Sequence, residues 1–127
     1  MYKLLLLLVF VTLLTSSTAL IAQDKRWVYF SESFDGIWYY DVESIEYSKS
    51  GSSVEVWIKV VRNPESFTGN WIYELHHLIL YCKSKEISSN IVLLFYSSGG
   101  YEKVTTNNLE KIAPESNGES LFYILCK

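Results

Sequence analysis

The adjacent histidines His76 and His77 are the side chains of this sequence best suited to acid–base or metal chemistry. They lie within an apolar run that predicts a β-strand, where neighbouring residues point to opposite faces. The two imidazoles therefore cannot bind the same metal ion, and we interpret each as an ordinary surface or core histidine. A hydrolase built on either one would need a concave pocket that brings its imidazole close to a carboxylate, such as that of Glu74 or Asp41.

Other patterns that carry catalysis are missing from the sequence. There is no Gly-x-Ser-x-Gly motif to position a nucleophilic serine. The glycine-rich residues 97–100 precede neither a Lys-Ser/Thr pair nor a helix, so we do not interpret them as a phosphate-binding loop. We therefore predict a protein that is not an enzyme, with no catalytic residue, no metal site and no cofactor.

The sequence contains two cysteines, Cys82 and Cys126. Their spacing is neither Cys-x-x-Cys nor a known zinc pattern. Two cysteines in an exported chain of this length favour a disulfide over free thiols. The bond would close a loop of about 45 residues and stabilise the fold by about 4 kcal/mol if its effect is mainly on chain entropy. A redox or metal-binding role for the cysteines is the alternative.

The N-terminal segment has the layout of a secretory signal peptide. Lys3 supplies a positive charge, residues 4–14 form an almost uninterrupted apolar run, and small residues follow. Cleavage can follow Ala19 or Ala22, and we favour Ala22, which assigns residues 1–22 to the signal peptide. The alternative is an uncleaved membrane anchor, since the apolar segment is nearly long enough to span a bilayer. No cysteine lies near the cleavage region, so a lipid anchor on a mature N-terminal cysteine is not expected.

The mature chain of residues 23–127 has the size of a single domain with one core. It carries all 14 acidic residues of the sequence and every basic residue except Lys3, for a net charge of about −4. An acidic domain without clustered Lys and Arg is a poor binder of nucleic acid. It also lacks a polybasic patch for an anionic membrane. We expect neither nucleic acid as a partner nor a stable membrane anchor after signal cleavage.

Hydrophobic alternation predicts an α+β fold with an antiparallel β-sheet of about six strands. The clearest strand is at residues 54–62, where the even-numbered apolar residues share one face. A last strand or an ordered edge is predicted at residues 101–106, followed by an irregular polar segment at residues 106–112. The other predicted strands are residues 27–30, 37–40, 71–82 and 87–96.

The C-terminal segment predicts a short α-helix with a defined start. Ser116 is placed as the N-cap, and Glu119 three residues later completes a capping box in which each side chain satisfies a backbone N–H. Leu121 and Leu125 form an apolar stripe that can dock on the sheet. Because so short a helix would not persist alone, packing and a bond from Cys126 to the sheet must hold it.

Several short motifs occur in order along the mature chain. They are Tyr39-Tyr40-Asp41 with Ser44-Ile45, Val56-Trp57-Ile58-Lys59, Leu80-Tyr81-Cys82-Lys83, Ala113-Pro114-Glu115-Ser116, and Glu119 and Leu121 before Cys126-Lys127. Together they make residues 27–127 resemble the surface-adhesin protein E family of small exported bacterial domains. The resemblance implies an antiparallel sheet of about six strands and a C-terminal helix that the Cys82–Cys126 disulfide holds.

The resemblance also implies a binding function, because the family's namesake is a surface lipoprotein that binds laminin, vitronectin and plasminogen and can dimerise. This chain lacks the lipidated cysteine, so we predict an exported, non-catalytic binding domain located in the periplasm, on the cell surface or in the medium. Its expected partner is a host matrix or serum protein, or a component of the cell envelope.

Three routes to that partner are suggested by the sequence: Trp57 on one face of a strand, Trp71 with Phe67 beside a loop, and strand addition at a sheet edge. Edge pairing would also allow a homodimer. The alternatives are an envelope or self-assembly factor without adhesion, and a small hydrolase that uses His76 or His77.

Overall fold

The computed structural model describes residues 26–127, and they form one antiparallel β-sheet with a C-terminal α-helix. The predicted signal peptide at residues 1–22 lies outside the described residues. The helix is Asn117–Leu125, and a 3-10 turn occupies Val42–Ser44. The strands are β1 Trp27–Ser33, β2 Gly36–Asp41, β3 Glu46–Tyr47, β4 Ser53–Arg62, β5 Trp71–Tyr81, β6 Glu86–Tyr96 and β7 Tyr101–Lys111.

The strands follow one another across the sheet in the order β1-β2-β4-β5-β6-β7, and the two-residue strand β3 pairs with β4 beyond the end of β2. All neighbouring strands are antiparallel. Short connections between sequential strands produce this meander. The predicted antiparallel sheet with one C-terminal helix is confirmed, although the fold contains far more sheet than helix.

The hydrophobic core lies between the helix and one face of the sheet, which we call the inner face. The even-numbered residues Val54, Val56, Ile58 and Val60 of β4 are buried there, because successive side chains of a strand alternate between its faces. Core contacts from the other elements come from Leu78, Leu80, Ile112, Leu121 and Leu125. The opposite face is called the outer face below.

The prediction for the last strand was wrong over its second half. Residues 106–112 were expected to be irregular, yet β7 extends to Lys111 and pairs with β6 on both sides of an irregularity between Thr105 and Asn108. The sequence gives little sign of this strand because its side chains are mostly exposed, so no alternation of apolar residues is required. Backbone hydrogen bonds to β6 form the strand instead.

The helix is held at both ends. At its start, the Ser116 hydroxyl accepts a hydrogen bond from the Glu119 N–H at 3.1 Å. The Glu119 carboxylate accepts a hydrogen bond from the N–H of Glu115, and not from that of Ser116 as the predicted capping box requires. It also accepts one from Lys85 Nζ at 2.7 Å. These two hydrogen bonds, with the lysine charge, lower the pKa of the Glu119 carboxyl.

At the other end of the helix, a disulfide joins Cys126 to Cys82, directly after β5. The Tyr47 hydroxyl donates to the carbonyl of Leu125 at 3.0 Å. The helix is therefore tied covalently to the sheet where it ends. No helix among residues 26–127 is long and apolar enough to cross a membrane.

Candidate functional site

The outer face of the sheet carries a continuous line of apolar side chains that we call the apolar row. Its members lie directly opposite one another on five adjacent strands, and directly opposed residues of a sheet share a face. The one α-helix among residues 26–127 packs on the inner face, and Ile37, Val61 and Tyr101 of the row are exposed. The row consists of Ile37, Val61, Tyr73, Phe95 and Tyr101.

The three aromatic rings of the apolar row form a stack across β5, β6 and β7. The ring centroids of Tyr73 and Phe95 are 4.4 Å apart with an angle of 12° between their planes. Those of Phe95 and Tyr101 are 5.5 Å apart at 30°. Tyr101 is 65% exposed and forms the end of the stack at the edge of the sheet. The rings are thus held rigid by one another while the last one remains accessible.

A second line of residues lies beside the apolar row and includes the cation Lys59. Its Nζ is 4.7 Å from the ring centroid of Tyr73 and 5.9 Å from that of Trp27, within the range of cation–π attraction. On the neighbouring strands, Tyr29 and Tyr39 pack edge to face at 6.3 Å. The outer face is therefore rich in aromatic rings, with a lysine charge among them.

Trp57 lies on the outer face, as its odd position in β4 predicted. Its ring centroid is 5.1 Å from that of His77, the residue opposite it on β5. His77 Nε2 is in turn 3.3 Å from a carboxylate oxygen of Glu55. This polar group adjoins the apolar row and belongs to the same face.

The inner face contains a buried carboxylate, Glu74, at the centre of a hydrogen-bonded network. Its Oε1 accepts bonds from Arg62 Nε at 3.0 Å, Arg62 Nη2 at 2.6 Å and Trp71 Nε1 at 2.5 Å, and its Oε2 lies 2.6 Å from His76 Nε2. Burial acts to raise the pKa of Glu74, but the hydrogen bonds from His76, Arg62 and Trp71 outweigh it and lower the pKa to about 2. The carboxylate is therefore ionised and fully engaged near neutral pH.

The two histidines lie on opposite faces, as predicted, and each is close to a different carboxylate. His76 is beside Glu74 on the inner face, which meets the geometric requirement stated above for a hydrolase. Glu74, however, is 3% exposed, has every acceptor oxygen occupied and has no proton to transfer near neutral pH. Such a carboxylate positions its neighbours and does not act as a general acid.

The remaining sequence-based candidates for catalysis and metal binding are not brought together. Asp41 caps the 3-10 turn by accepting the N–H of Glu43 and forms an ion pair with Arg26 at 2.6 Å. Among residues 26–127, no group of three His, Cys, Asp or Glu side chains has the arrangement of a metal site.

The predicted contact residues Trp71 and Phe67 already make contacts with other side chains of the protein. Their rings pack edge to face at 4.9 Å, and the Arg62 guanidinium lies 4.7 Å from the Phe67 centroid. Because the Trp71 indole N–H also donates to Glu74, this pair supports the buried network. It is therefore a weaker candidate for partner contact than the apolar row.

Strand β7 forms one edge of the sheet, and its free side is available for strand addition. Glu102 and Lys103 lie near one end of the strand, and Glu110 and Lys111 near the other. Charged side chains on an edge strand discourage uncontrolled pairing with other chains. The edge can therefore accept another strand, but its charged side chains disfavour unselective pairing.

Sequence reasoning found Trp57 but missed the apolar row. The row takes a single residue from each of five strands, so it becomes visible only when the register of the strands is known. One signal was present: β5 is apolar at odd as well as even positions, with Tyr73, Leu75 and Ile79 alternating with Leu78 and Leu80. A strand with apolar residues on both faces needs cover on both faces.

Comparison with known proteins identifies solved structures that share the fold of this chain. No family model matches the chain, and no curated protein sequence is similar enough to match it. Solved structures of protein E from Haemophilus influenzae do match: crystal form II has a TM-score of 0.62 at 13% identity, covering 80% of this chain and 87% of that one.

Two further protein E structures agree with this match. One has a TM-score of 0.61 at 15% identity, covering 80% of this chain and 83% of that one. The other, from a non-typeable strain of the same species, has a TM-score of 0.56 at 16% identity, covering 77% and 74%. The chain therefore has an adhesin E-like fold, as the sequence resemblance predicted.

Proposed function

We propose that this chain is an exported, non-catalytic domain that binds a protein partner through the outer face of its sheet. The observation that carries the proposal is the apolar row, which crosses five strands on the face opposite the α-helix and leaves Ile37, Val61 and Tyr101 exposed. The adhesin E-like fold and the binding function implied by the resemblance support the same conclusion.

The chemistry of the outer face suits a protein interface. Contiguous exposed apolar patches are uncommon on monomeric soluble proteins and mark interaction sites. Tyr, Trp and Phe dominate the energetic centres of interfaces because they bury large areas with few rotatable bonds. In this chain Tyr101, Tyr29, Ile37 and Val61 are exposed on that face. Since the stacked rings are already ordered, binding costs little side-chain entropy.

The surroundings of the apolar row carry both signs of charge. Lys59 and Lys103 lie beside it on the outer face, and Glu32 lies opposite Ile37 at its β1 end. A partner with an apolar centre and complementary charges around it would fit this surface and associate faster at low salt. The partner would be a host matrix or serum protein of the kind that the family resemblance implies, or a component of the cell envelope.

Export is supported by the disulfide, because such bonds persist mainly in oxidising compartments. The proposal takes residues 1–22 as a cleaved signal peptide and residues 23–127 as the mature domain. Intact-mass measurement of the protein recovered from cell fractions tests both points. A mature mass that begins at residue 23, in the periplasm, surface or medium, is expected; a cytoplasmic protein that retains residue 1 would contradict export.

The binding proposal is tested with a variant of the apolar row and a matched control. Tyr101→Ala removes the exposed end of the stack, and Tyr123→Ala removes a tyrosine of equal exposure, 64%, on the helix. Each protein is immobilised and exposed to purified laminin, vitronectin and plasminogen, and separately to solubilised envelope proteins of the producing cell. We expect wild type and Tyr123→Ala to retain the same partner and Tyr101→Ala to lose at least about tenfold in affinity.

Equal binding by all three proteins would contradict the outer face as the interface. If the immobilised protein retains envelope proteins but none of the three host proteins, the function of the outer face is binding within the cell envelope and not adhesion. A homodimer stays a prediction: if self-association is the only binding seen and Tyr101→Ala abolishes it, the partner is a second copy of this chain. Sedimentation of the purified domain measures that state directly.

A further inference from the structure

Three loops meet at one end of the sheet and surround a groove that we call the end groove. The loops are residues 34–35 between β1 and β2, 63–70 between β4 and β5, and 97–100 between β6 and β7. Two adjoining cavities of about 640 and 480 Å³ form the groove, and Arg62 lies between them because it lines both. Cavities of these volumes are in the range of binding sites.

The loops of the end groove are ordered by hydrogen bonds of their own. The backbone carbonyl of Asn63 accepts the N–H groups of Ser66 and Phe67 at 3.2 and 2.9 Å. The turn between β1 and β2 is joined to the same loop, since the Ser66 hydroxyl donates to the Phe34 carbonyl at 2.6 Å. Loops that are already ordered lose little conformational entropy when a ligand binds.

Aromatic rings form a wall of the larger cavity. The rings of Phe67 and Trp71 are 4.9 Å apart with 65° between their planes, and those of Trp71 and Tyr96 are 6.5 Å apart at 82°. Gly69 makes this arrangement possible, because a Cβ at that position would overlap the Phe67 ring. The contacts that Phe67 and Trp71 make within the protein thus fix their rings as walls of the groove.

Arg62 has hydrogen-bond donors that the protein does not use. Its Nε and Nη2 donate to the buried carboxylate of Glu74, whereas Nη1 has no partner among residues 26–127. Within those residues, the Ser89 hydroxyl is the only fully enclosed side-chain donor or acceptor without a partner, so Nη1 has surface that a ligand can reach. Because Glu74 already balances the charge of Arg62, these donors suit a neutral acceptor such as a peptide carbonyl.

The rim of the end groove is acidic. Glu32 lines the smaller cavity, and Asp35 and Glu65 are exposed on the loops that form it. No lysine or arginine occurs in the three loops, and Arg62 is the one cation of residues 26–127 that lines either cavity. A ligand with a basic group at this rim would be attracted to it, most strongly at low salt.

We propose that the end groove binds a proline-rich segment of a partner protein in the polyproline II conformation, with a lysine or arginine beside the prolines. Aromatic-lined grooves recognise such segments, which are extended before binding and have backbone carbonyls without internal hydrogen bonds. The groove spans the strand spacings from β2 to β6, or roughly 15 Å, which matches about five residues of this conformation. The prolines pack on Phe67 and Trp71, a carbonyl accepts from Arg62, and the basic residue meets the acidic rim.

The test is an NMR titration of the ¹⁵N-labelled domain, residues 23–127, with the peptide acetyl-Arg-Pro-Leu-Pro-Pro-Leu-Pro-amide. One control peptide has alanine in place of every proline, and the other has glutamate in place of arginine. We expect the probe to cause saturable shifts of the Gly69 and Asn70 amides and of the Trp71 indole. Each control peptide should bind at least about tenfold more weakly at low salt. No saturable shift with the probe, or equal binding of the three peptides, would overturn the proposal.

A charge reversal at the rim separates the acidic loops from the charge of the whole domain. The double variant Asp35→Lys with Glu65→Lys changes two exposed side chains, so it should keep the Tm of wild type but prefer the glutamate peptide over the arginine peptide. The matched control is Glu46→Lys with Glu110→Lys, which makes the same change of charge at the opposite end of the sheet. The control should keep the preference for arginine. An unchanged preference in the rim variant would overturn the proposal.

The end groove is a second site beyond the function proposed above, and it shares only Ile37 and Val61 with the apolar row. Tyr101→Ala tells the two sites apart, because Tyr101 belongs to the row and does not line the groove. This variant should bind the proline-rich peptide as wild type does, even if it loses the partner of the outer face. Loss of the peptide in Tyr101→Ala would place the peptide on the outer face and overturn the end groove as its site.

Discussion

The inner and outer faces of this sheet are built from the same strands but with different chemistry. The buried core of the inner face is aliphatic, and this face carries the helix, the disulfide and one ionised network around Glu74. The outer face combines aliphatic side chains with a stack of aromatic rings, carries Lys59 beside Tyr73, and has no helix packed on it in the described part of the chain. Aliphatic residues fill a permanent core, whereas rigid aromatic rings suit a surface that is covered only when a partner binds.

Strand β5 shows the difference within a single element. Leu78 and Leu80 point to the inner face and are buried, while Tyr73 and Leu75 point to the outer face and are only partly buried. A strand that needed to be stable but not to bind would carry polar residues at the outward positions. Substitutions on the two faces should therefore affect different properties: stability on the inner face and binding on the outer face.

The largest effect is expected from removing the disulfide. Replacing Cys82 and Cys126 together by serine should lower the free energy of unfolding by about 4 kcal/mol, because the bond closes a long loop in the unfolded chain. Urea denaturation followed by circular dichroism measures this loss. A change below about 1 kcal/mol would show that packing alone holds the helix on the inner face.

The next largest effects are expected from two leucines of β5, one on each face, whose replacement compares how much each face contributes to the free energy of unfolding. Leu80→Ala, at a fully buried position, should cost about 3 kcal/mol, and Leu75→Ala on the outer face about 1 kcal/mol. The same denaturation experiment compares them directly. Equal losses would mean that the outer face is covered as completely as the inner one.

The buried network should make stability depend on pH in acid. The pKa of Glu74 is lowered to about 2 in the folded protein from an unfolded value near 4.5, so its contribution is present above pH 4.5 and is lost as the pH falls toward 2. The loss should be on the order of 2 to 3 kcal/mol. Unfolding experiments across that range measure it.

The variant Glu74→Gln provides the reference for this pH effect, because Glu119 and Glu86 also have lowered pKa values and add to the slope. The variant should be less stable than wild type near neutral pH, since it leaves Arg62 without its charge partner. The gap between the two proteins should narrow as the pH falls from 4.5 to 2. A gap that stays constant would show that Glu74 does not titrate abnormally.

The smallest effect on stability is expected at the exposed end of the apolar row. Tyr101→Ala should change the free energy of unfolding by less than about 1 kcal/mol, because the side chain is mostly exposed and loses one stacking contact. The control Tyr123→Ala should behave similarly. A loss as large as that of Leu80→Ala would give Tyr101 a structural role and weaken its assignment to partner binding.

The parts of this fold that sequence reasoning predicted depend on local patterns. Strand β4 alternates between buried and exposed residues, and Ser116 begins the helix by a contact within one turn. Strand β7 was predicted only in part, because its side chains are mostly exposed, its second half is largely polar, and it is formed by pairing with β6. Local patterns do not reveal a strand that depends on its neighbour.

The candidate sites were harder to predict because they depend on register. His76 and Glu74 are two residues apart on one strand, so their shared face can be inferred, but Arg62 joins them only through the pairing of β4 with β5. Between His77 and Leu78 of β5, strand β6 contributes the extra residue Asn90, which shifts all later pairings by one. The apolar row and the end groove both require knowledge of such pairings.

Hydroxyl-radical footprinting of the domain, alone and in complex with whichever protein it retains, tests whether the outer face is the binding surface. Tyr29, Tyr73 and Tyr101 lie on the outer face, and Tyr123 lies on the helix. We predict that the three outer-face tyrosines lose reactivity in the complex while Tyr123 keeps its own. Protection of Tyr123 with the other three unchanged would contradict the claim and place the interface on the helix side.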